Sequence, residues 1–295
     1  MTKRETIRVA AAGDIHCSEQ NRAAVADAFA GIAGQVDAIL VAGDLTTFGE
    51  PEQAEVLADA CGGLEIPVVT VLGNHDWHAN RADEIVNVLS ASGIVVLDRS
   101  WTVLDCGRAK VGVVGTKGFV GGFPDSTLTD FGEPIMRAVY AETTDEVEAL
   151  DRGLEAVADC PVRIVLLHYA PTSSTIEGEP PGIWAFLGSD RLGRPIADHL
   201  PDLVLHGHGH AGTYEGFVGA VPVYNVSLPV MGRTSPSSSS AMERSAMFPR
   251  DRPPGKLSGE RRFIERSLDH PHRHSGSRAA GLLLARLLVV GPRSL

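Results

Sequence analysis

Short apolar runs rich in β-branched residues recur along the chain, and each ends in a glycine or a polar cluster. Residues 7–12 run into Gly13-Asp14, residues 38–42 into Gly43-Asp44, and residues 67–72 into Gly73-Asn74-His75. Further on, residues 164–167 run into His168, and residues 203–205 into His206-Gly207-His208. Continuous apolar runs of this length predict strands buried on both faces. Between them lie amphipathic stretches. Residues 21–32 place Ala24, Val25, Ala28, Phe29 and Ile32 on one face, residues 51–60 stop at Gly62-Gly63, and residues 82–89 follow the third strand. Residues 144–158 carry Val147, Leu150, Leu154 and Val157 in one stripe, and Thr143 with Glu146 forms a capping-box pattern at the start. Strand and helix alternate over the first third, which predicts parallel pairing. Residues 94–97, 101–105 and 110–114 read instead as consecutive strands, and residues 213–217 with 221–226 as a hairpin. That order predicts an α/β protein with two sheets flanked by helices.

From about Gly232 the periodicity is lost. A serine run at 235–240, the prolines of 249–254 and a stretch of Arg and His follow. Such composition buries little surface, so residues 1–232 are expected to form the folded domain and 233–295 a disordered basic tail rich in Ser, Pro and Arg. Charge divides at the same place. The chain of 295 residues has a net charge of -11, yet residues 234–295 hold 11 Lys and Arg against 5 Asp and Glu, which leaves -17 on the rest. An acidic body makes long nucleic acid an unfavoured partner. Cys17, Cys61, Cys106 and Cys160 show no CxxC spacing and read as free thiols. No signal peptide is visible, and the longest apolar stretch, residues 279–290, is broken by Arg286 and is about half the ~20 residues of a membrane span. A cytoplasmic location is expected; the sequence carries no signal for oligomeric state.

The polar clusters hold the candidate chemistry. Asp14-Ile15-His16, Gly43-Asp44, Gly73-Asn74-His75-Asp76, His168 and Gly207-His208-Gly209-His210 fall in that order, each just after a predicted strand. In open α/β sheets, ligands collect at the carboxyl ends of strands, so residues distant in sequence converge there. The glycines are expected to let the backbone turn sharply before each polar residue. Together the clusters offer seven oxygen or nitrogen ligands and one spare histidine, the count of a two-metal hydrolytic site. With carboxylate, amide and imidazole but no thiolate, the set disfavours a cysteine-type structural zinc and admits Mn, Fe, Zn, Co or Ni.

In this order and spacing the motifs resemble the calcineurin-like metallophosphoesterases, and the likeness spans residues 7–226. The resemblance implies a four-layer α/β/β/α sandwich of two mixed sheets flanked by helices. It also implies that Asp14, His16 and His210 hold one metal, that Asn74, His168 and His208 hold a second, and that Asp44 bridges them. His75 is then the catalytic histidine that faces substrate, and two divalent ions, Mn, Fe or Zn foremost with the resemblance favouring Mn or Fe, are the expected cofactors. Two such ions about 3.5–4 Å apart can share a carboxylate, acidify a water and draw charge from phosphoryl oxygens. The expected activity is hydrolysis of a small-molecule phosphate ester, foremost a small phosphodiester such as a cyclic nucleotide. A phosphomonoesterase acting on a metabolite or phosphoprotein is the alternative. A non-catalytic scaffold is the third reading, disfavoured because no motif residue is missing.

Other polar residues are weaker candidates. Asp76 is a candidate to hold the His75 ring, with a helix-start carboxylate as the plainer reading. His206 reads as structural or as supporting the neighbouring ligands, with substrate contact as the lesser expectation; His78 and His199 read as surface residues. Two long stretches, 116–142 and 170–191, are expected to wall the pocket. Within them Lys117 and Arg191 are candidates for phosphate contact and Trp184 for stacking. Solvated charge and a hydrophobic loop anchor are the competing readings.

Overall fold

A computed structural model describes residues 7–234 and 286–290. The elements run β1 (Ile7–Ala12), α1 (Arg22–Ile32), β2 (Ala38–Ala42), α2 (Pro51–Cys61), β3 (Val68–Val71), α3 (Ala82–Ala91) and β4 (Val95–Val96). Then follow β5 (Ser100–Asp105), β6 (Lys110–Gly115), β7 (Gly122–Phe123), β8 (Ser126–Thr127), α4 (Pro134–Ala156) and β9 (Val162–Leu166). The chain continues through α5 (Gly193–His199), β10 (Leu203–His206), β11 (Glu215–Val218), β12 (Val221–Asn225), α6 (Leu228–Thr234) and β13 (Arg286–Val290). One sheet has the order β13-β1-β2-β3-β4, the other β11-β12-β10-β9-β6-β5, and β7-β8 is a small hairpin.

The continuous apolar runs become the parallel centres of both sheets. β1, β2, β3 and β4 are mutually parallel, with Ala10 opposite Ile39 and Ile39 opposite Val68. In the second sheet β6, β9, β10 and β12 are parallel, while β5 and β11 run antiparallel at its two edges. Alternation along the strands of the second sheet sorts its side chains. Ile164, Leu166, Leu203 and Leu205 share a core with the first sheet and its helices. Val165, Leu167 and Val204 pack instead with Leu150, Leu154 and Val157 of the α4 segment and Ile196 of α5. Each such buried aliphatic side chain is worth about 1.5–3 kcal/mol in transfer from water. The mixed α/β class with helix-flanked sheets expected from the sequence is present.

Several boundaries differ from expectation. α4 begins at Pro134, about ten residues before the stripe that announced it. The capping-box pair lies in its interior: Thr143 donates to the Val120 carbonyl, and the buried Glu146 carboxylate accepts from Thr116 and from Gly118 N–H. The strands expected as one consecutive set at 94–114 divide between sheets, since β4 continues the first and β5-β6 form a hairpin of the second. At the C-terminus, Arg286–Val290 pairs antiparallel with β1, Ile7 opposite Val290. Those five residues therefore depart from the expected disordered tail; its remainder beyond Thr234 lies outside the described residues.

Candidate metal centre at the strand ends

Parallel strands point their carboxyl ends the same way, and here the ends of the two sheets also meet. Gly13 N–H donates to the Val226 carbonyl and Gly13 O accepts from Leu228 N–H, which joins the end of β1 to the end of β12. Backbone bonds continue across the loops: Asp14 N–H to Gly43 O, His16 N–H to Asp44 O, and Gly207 N–H to His168 O. Side chains interlock the motifs further. Asp14 accepts from His208 N–H at 3.0–3.1 Å, and Asp44 Oδ1 accepts from His75 N–H at 2.8 Å.

Gly43 turns the backbone as expected, with φ of +77°, but at Gly73 and Gly207 the close approach gives a different explanation. At Gly73 an added Cβ would lie 2.1 Å from Asp44 Oδ1, and at Gly207 it would lie 2.5 Å from Asp14 Oδ2. These two clear space for a carboxylate. The turning itself falls largely on the polar residues: Asp14, His16, Asp44 and His208 have φ of +57°, +48°, +49° and +69°. Non-glycine residues in that region are uncommon and their strain concentrates at functional sites.

Three groups of side chains could each hold a cation: Asp14 with His16 and His210; His16 with Asp44 and His75; and Asp44 with His168 and His208. Asp44 belongs to two of them. Its Oδ1 lies 3.3 Å from His168 Nε2, and its Oδ2 lies 4.0 Å from His16 Nε2 and 3.9 Å from His75 Nε2. The chemistry of the donor set fits a cation. His168 Nδ1 donates to the Ala42 carbonyl, His16 Nδ1 to Thr46 O, and His75 Nδ1 to Thr47 O. For each neutral ring, Nε2 is then a lone pair. His168 Nε2 faces two further acceptors, Asn74 Oδ1 at 2.9 Å and Asp44 Oδ1. A cation between them would satisfy all three acceptors at once. His208 uses Nε2 on the Phe186 carbonyl, which leaves Nδ1 as its free lone pair.

Burial and neighbouring charge tune these groups. Burial lifts the Asp14 carboxyl, but the His210 hydrogen bond and the surrounding histidines outweigh it and hold the pKa down to about 2. His210 is raised in return by the same bond. Burial, aided by His168, lowers His208 to about 4, and burial also lowers His16. Neutral histidines and an ionised carboxylate are the forms that bind metal.

The weaker candidates divide. Asp76 is fully buried, but its carboxylate accepts from the backbone of Gly73, Leu45 and Thr46 and from the Thr46 hydroxyl. It ties the loop after β2 to the loop after β3. The expectation that it holds the His75 ring is corrected, because Thr47 O takes that role. His206 is buried behind the site, bonded to Gly207 O and to Thr175 Oγ1, and burial lowers it to about 4. Lys117 turns onto the Phe119 ring and donates to Gly118 O. Arg191 stacks on Tyr140 and bonds Tyr140 O and the Thr144 hydroxyl of α4. Trp184 packs partly buried against Phe123, Ile176 and Leu187, with its indole N–H on Glu179 O. None of these three loop side chains is brought among the candidate ligands. His199 pairs with Asp151 away from the centre, whereas His78 lies 4.4 Å from the His75 ring, nearer than a surface reading suggests.

Some residues at the centre escaped the sequence. Tyr169 stands 4.5 Å from His208 and 5.5 Å from His168, ring to ring, and burial pushes its hydroxyl above its ordinary range. The Glu179 carboxylate accepts from Ala211 N–H and so fixes the loop that carries His208 and His210. Adjacency to His168 was the available signal for Tyr169; Glu179 had none, because its partner is a backbone group. Phe48, Trp77 and Phe186 are large exposed rings on loops that also contact His75 or His208 through their backbones. No helix among the described residues is long and apolar enough to cross a membrane, and all four cysteines are free.

Comparison with curated protein sequences gave no match. One solved structure shows the fold, and two others are similar to the chain. Phosphopantetheinyl hydrolase (PptH) of Mycobacterium tuberculosis is 15% identical, with a TM-score of 0.54 over 78% of this chain and 93% of that one. A protein of Thermus thermophilus is 20% identical, with a TM-score of 0.48 over 75% and 89%. GAP50, the anchor in the inner membrane complex of Plasmodium, is 16% identical, with a TM-score of 0.48 over 82% and 76%. The sequence profile of calcineurin-like phosphoesterases matches residues 7–212, which takes in the motifs from Asp14 to His210. The chain therefore belongs to the calcineurin-like phosphoesterases, a family of metal-dependent hydrolases.

Proposed function

We propose that this protein hydrolyses a small phosphodiester, such as a cyclic nucleotide, at a two-metal centre. The observation that carries the reading is the shared carboxylate: Asp44 stands between a group that includes His16 and a group that includes His168 and His208. In this reading Asp14, His16 and His210 hold one ion, Asn74, His168 and His208 hold the other, and Asp44 serves both. Mn, Fe and Zn suit the mixed oxygen and nitrogen donors. When bound, such a pair supplies a water-derived nucleophile near neutral pH and withdraws charge from the phosphoryl oxygens.

The chain supplies orientation and proton transfer. His75 is the catalytic histidine. Its Nδ1 is fixed on Thr47 O, so Nε2 points to the centre beside Asp44 and, when the ring is protonated, can give that proton to the leaving oxygen. Asp76 fixes the two loops that carry Asp44 and His75. The His208 ring is held between the Phe186 carbonyl and Tyr169, which fixes its orientation toward the centre. Positioning and electrostatics suffice for phosphoryl transfer to water, with no covalent intermediate. The charge of -17 on residues 1–233 supports a small substrate over long nucleic acid. A phosphomonoesterase is the second reading, since the same centre suits either ester.

Hydrolysis of an aryl phosphodiester against the matching monoester, in added Mn²⁺ and with His75→Ala alongside, tests it. Faster diester cleavage that depends on His75 is expected. Faster monoester cleavage would move the function to a phosphatase. No turnover of either ester, with metal demonstrably bound, would favour a scaffold or a narrow substrate.

A further inference from the structure

Glu146 of α4 is a buried carboxylate, 1% exposed, that stands outside the candidate ligand groups. The three groups bonded to it are all donors. The Thr116 hydroxyl and Gly118 N–H donate to Oε2, the latter at 2.8 Å, and Arg99 Nε donates to Oε1 at 3.0 Å. A buried carboxylate needs partners of this kind. Thr116 and Gly118 flank Lys117, so Glu146 grips the backbone on both sides of that residue. The Lys117 carbonyl in turn accepts from both His168 N–H and Tyr169 N–H, each at 3.0 Å. One peptide oxygen thus sets the backbone just beyond β9.

His168 has little room to absorb a shift there. Its ring is fully buried, Nδ1 is bonded to Ala42 O at 2.9 Å, and a Cβ at Gly43 would lie 2.7 Å from that nitrogen. Nε2 faces Asn74 Oδ1 and Asp44 Oδ1. Any displacement of the Lys117 carbonyl therefore reaches the ring beside Asp44. We propose that Glu146 is a positioning residue for His168, acting through the loop it grips and the Lys117 carbonyl. The carboxylate form matters, because an amide in its place would turn an NH2 group toward a donor and leave Arg99 without its buried counter-charge. Arg99 also pairs with Glu142 and, at 3.9 Å, with Asp145, both far more exposed than Glu146. The consequence for metal rests on the two-metal reading above; the consequence for the His168 ring does not.

Glu146→Gln in the full chain tests the assignment, with circular dichroism as the check on folding. The first readout is taken without metal, on protein labelled with ¹⁵N at histidine. The Nδ1–H signal of His168, identified by its absence in His168→Asn, is expected to move and to exchange faster with water. In Mn²⁺ titrations on a calorimeter, one binding step should weaken by about 10-fold, the size common when a group that orients a ligand is lost. Turnover should fall by a similar factor while KM holds. Glu142→Gln removes a different partner of Arg99 and should leave all three readings at wild type. Thr116→Val is the second variant should Glu146→Gln not fold; it takes one donor from the grip and should move the same signal less. An unmoved His168 signal in a folded Glu146→Gln chain would overturn the proposal. So would a shift of equal size in Glu142→Gln, which would trace the effect to Arg99 alone. A wild-type chain that binds no Mn²⁺ would count against the two-metal reading, and the metal-free spectrum would still decide the role of Glu146.

Discussion

At the strand ends, three histidines send Nδ1–H back into the carbonyls of Ala42, Thr46 and Thr47, and their Nε2 lone pairs converge on Asp44 and Asn74. In the neighbouring stretches 116–142 and 170–191 the pattern is reversed. Lys117, Trp184 and Arg191 direct their donors to Gly118 O, Glu179 O and Tyr140 O, within or between the loops themselves. One region ends with acceptors facing one another; the other ends with its polar groups paired. A polar side chain near a pocket is thus a weak guide to chemistry until its own hydrogen bonds are traced. The excess of acceptors over donors is what marks the strand ends as a candidate cation site.

The contrast predicts a steep ranking of substitutions. Asp44→Ala removes the carboxylate common to two ligand groups and is expected to lower kcat/KM by at least about 10³-fold, with weaker metal retention on a calorimeter. His75→Ala should cost about 10²-fold in turnover while metal content stays near wild type. Equal metal loss in both variants would make His75 a ligand, which the group of His16, Asp44 and His75 also allows. Asp76→Ala leaves several buried N–H groups without an acceptor, and chemical denaturation should show a loss of about 3 kcal/mol.

Acidity offers a further cut at the same boundary. His206 is buried and neutral, with a pKa of about 4 against 6.5 when unfolded. Between those values the unfolded chain binds the extra proton, so stability falls as pH drops from 6.5 toward 4. Up to about 3 kcal/mol is at stake. His206→Gln should flatten that part of the stability profile; an unchanged slope would assign it to other groups, such as His16 and His208. Smaller still are the loop effects. Trp184→Ala and Arg191→Ala are expected to lower melting temperature while kcat/KM for several esters changes little. A marked, substrate-dependent rise in KM for either would place that side chain against substrate after all. Last, a chain ending at Gly232 should keep its turnover and lose only the stability that β13 adds to β1; a large loss of activity would make the missing residues part of the enzyme.

Much of this was legible in the sequence. Strands buried on both faces announce themselves as unbroken apolar runs, so β1 and β2 were delimited to the residue. The motif side chains were legible because each follows such a run. What failed had physical causes. The first turns of α4, including Ile135, which is 74% exposed, lack a buried stripe, so the pattern starts the helix too late and gives Thr143 the look of a cap. β13 is too short to show a period, and its role depends on an open edge at β1 that sequence does not display. Asp76, Lys117 and Arg191 look like functional charges in one dimension; only the fold reveals the N–H groups, rings and carbonyls that claim them. The backbone carbonyls that orient His16, His75 and His168 carry no residue signature at all.

The four left-handed residues of the centre bear on how far this protein could be hardened. Asp14, His16, Asp44 and His208 sit where the free chain seldom goes, at a cost on the order of 1–3 kcal/mol apiece. An engineer selecting only for heat resistance would be drawn to replace them with glycine, which accepts that geometry without strain, and each gain would remove a candidate ligand. Thermal screens on this chain should therefore be paired with a catalytic readout from the first round, since the hardiest survivors are expected to include the inactive ones.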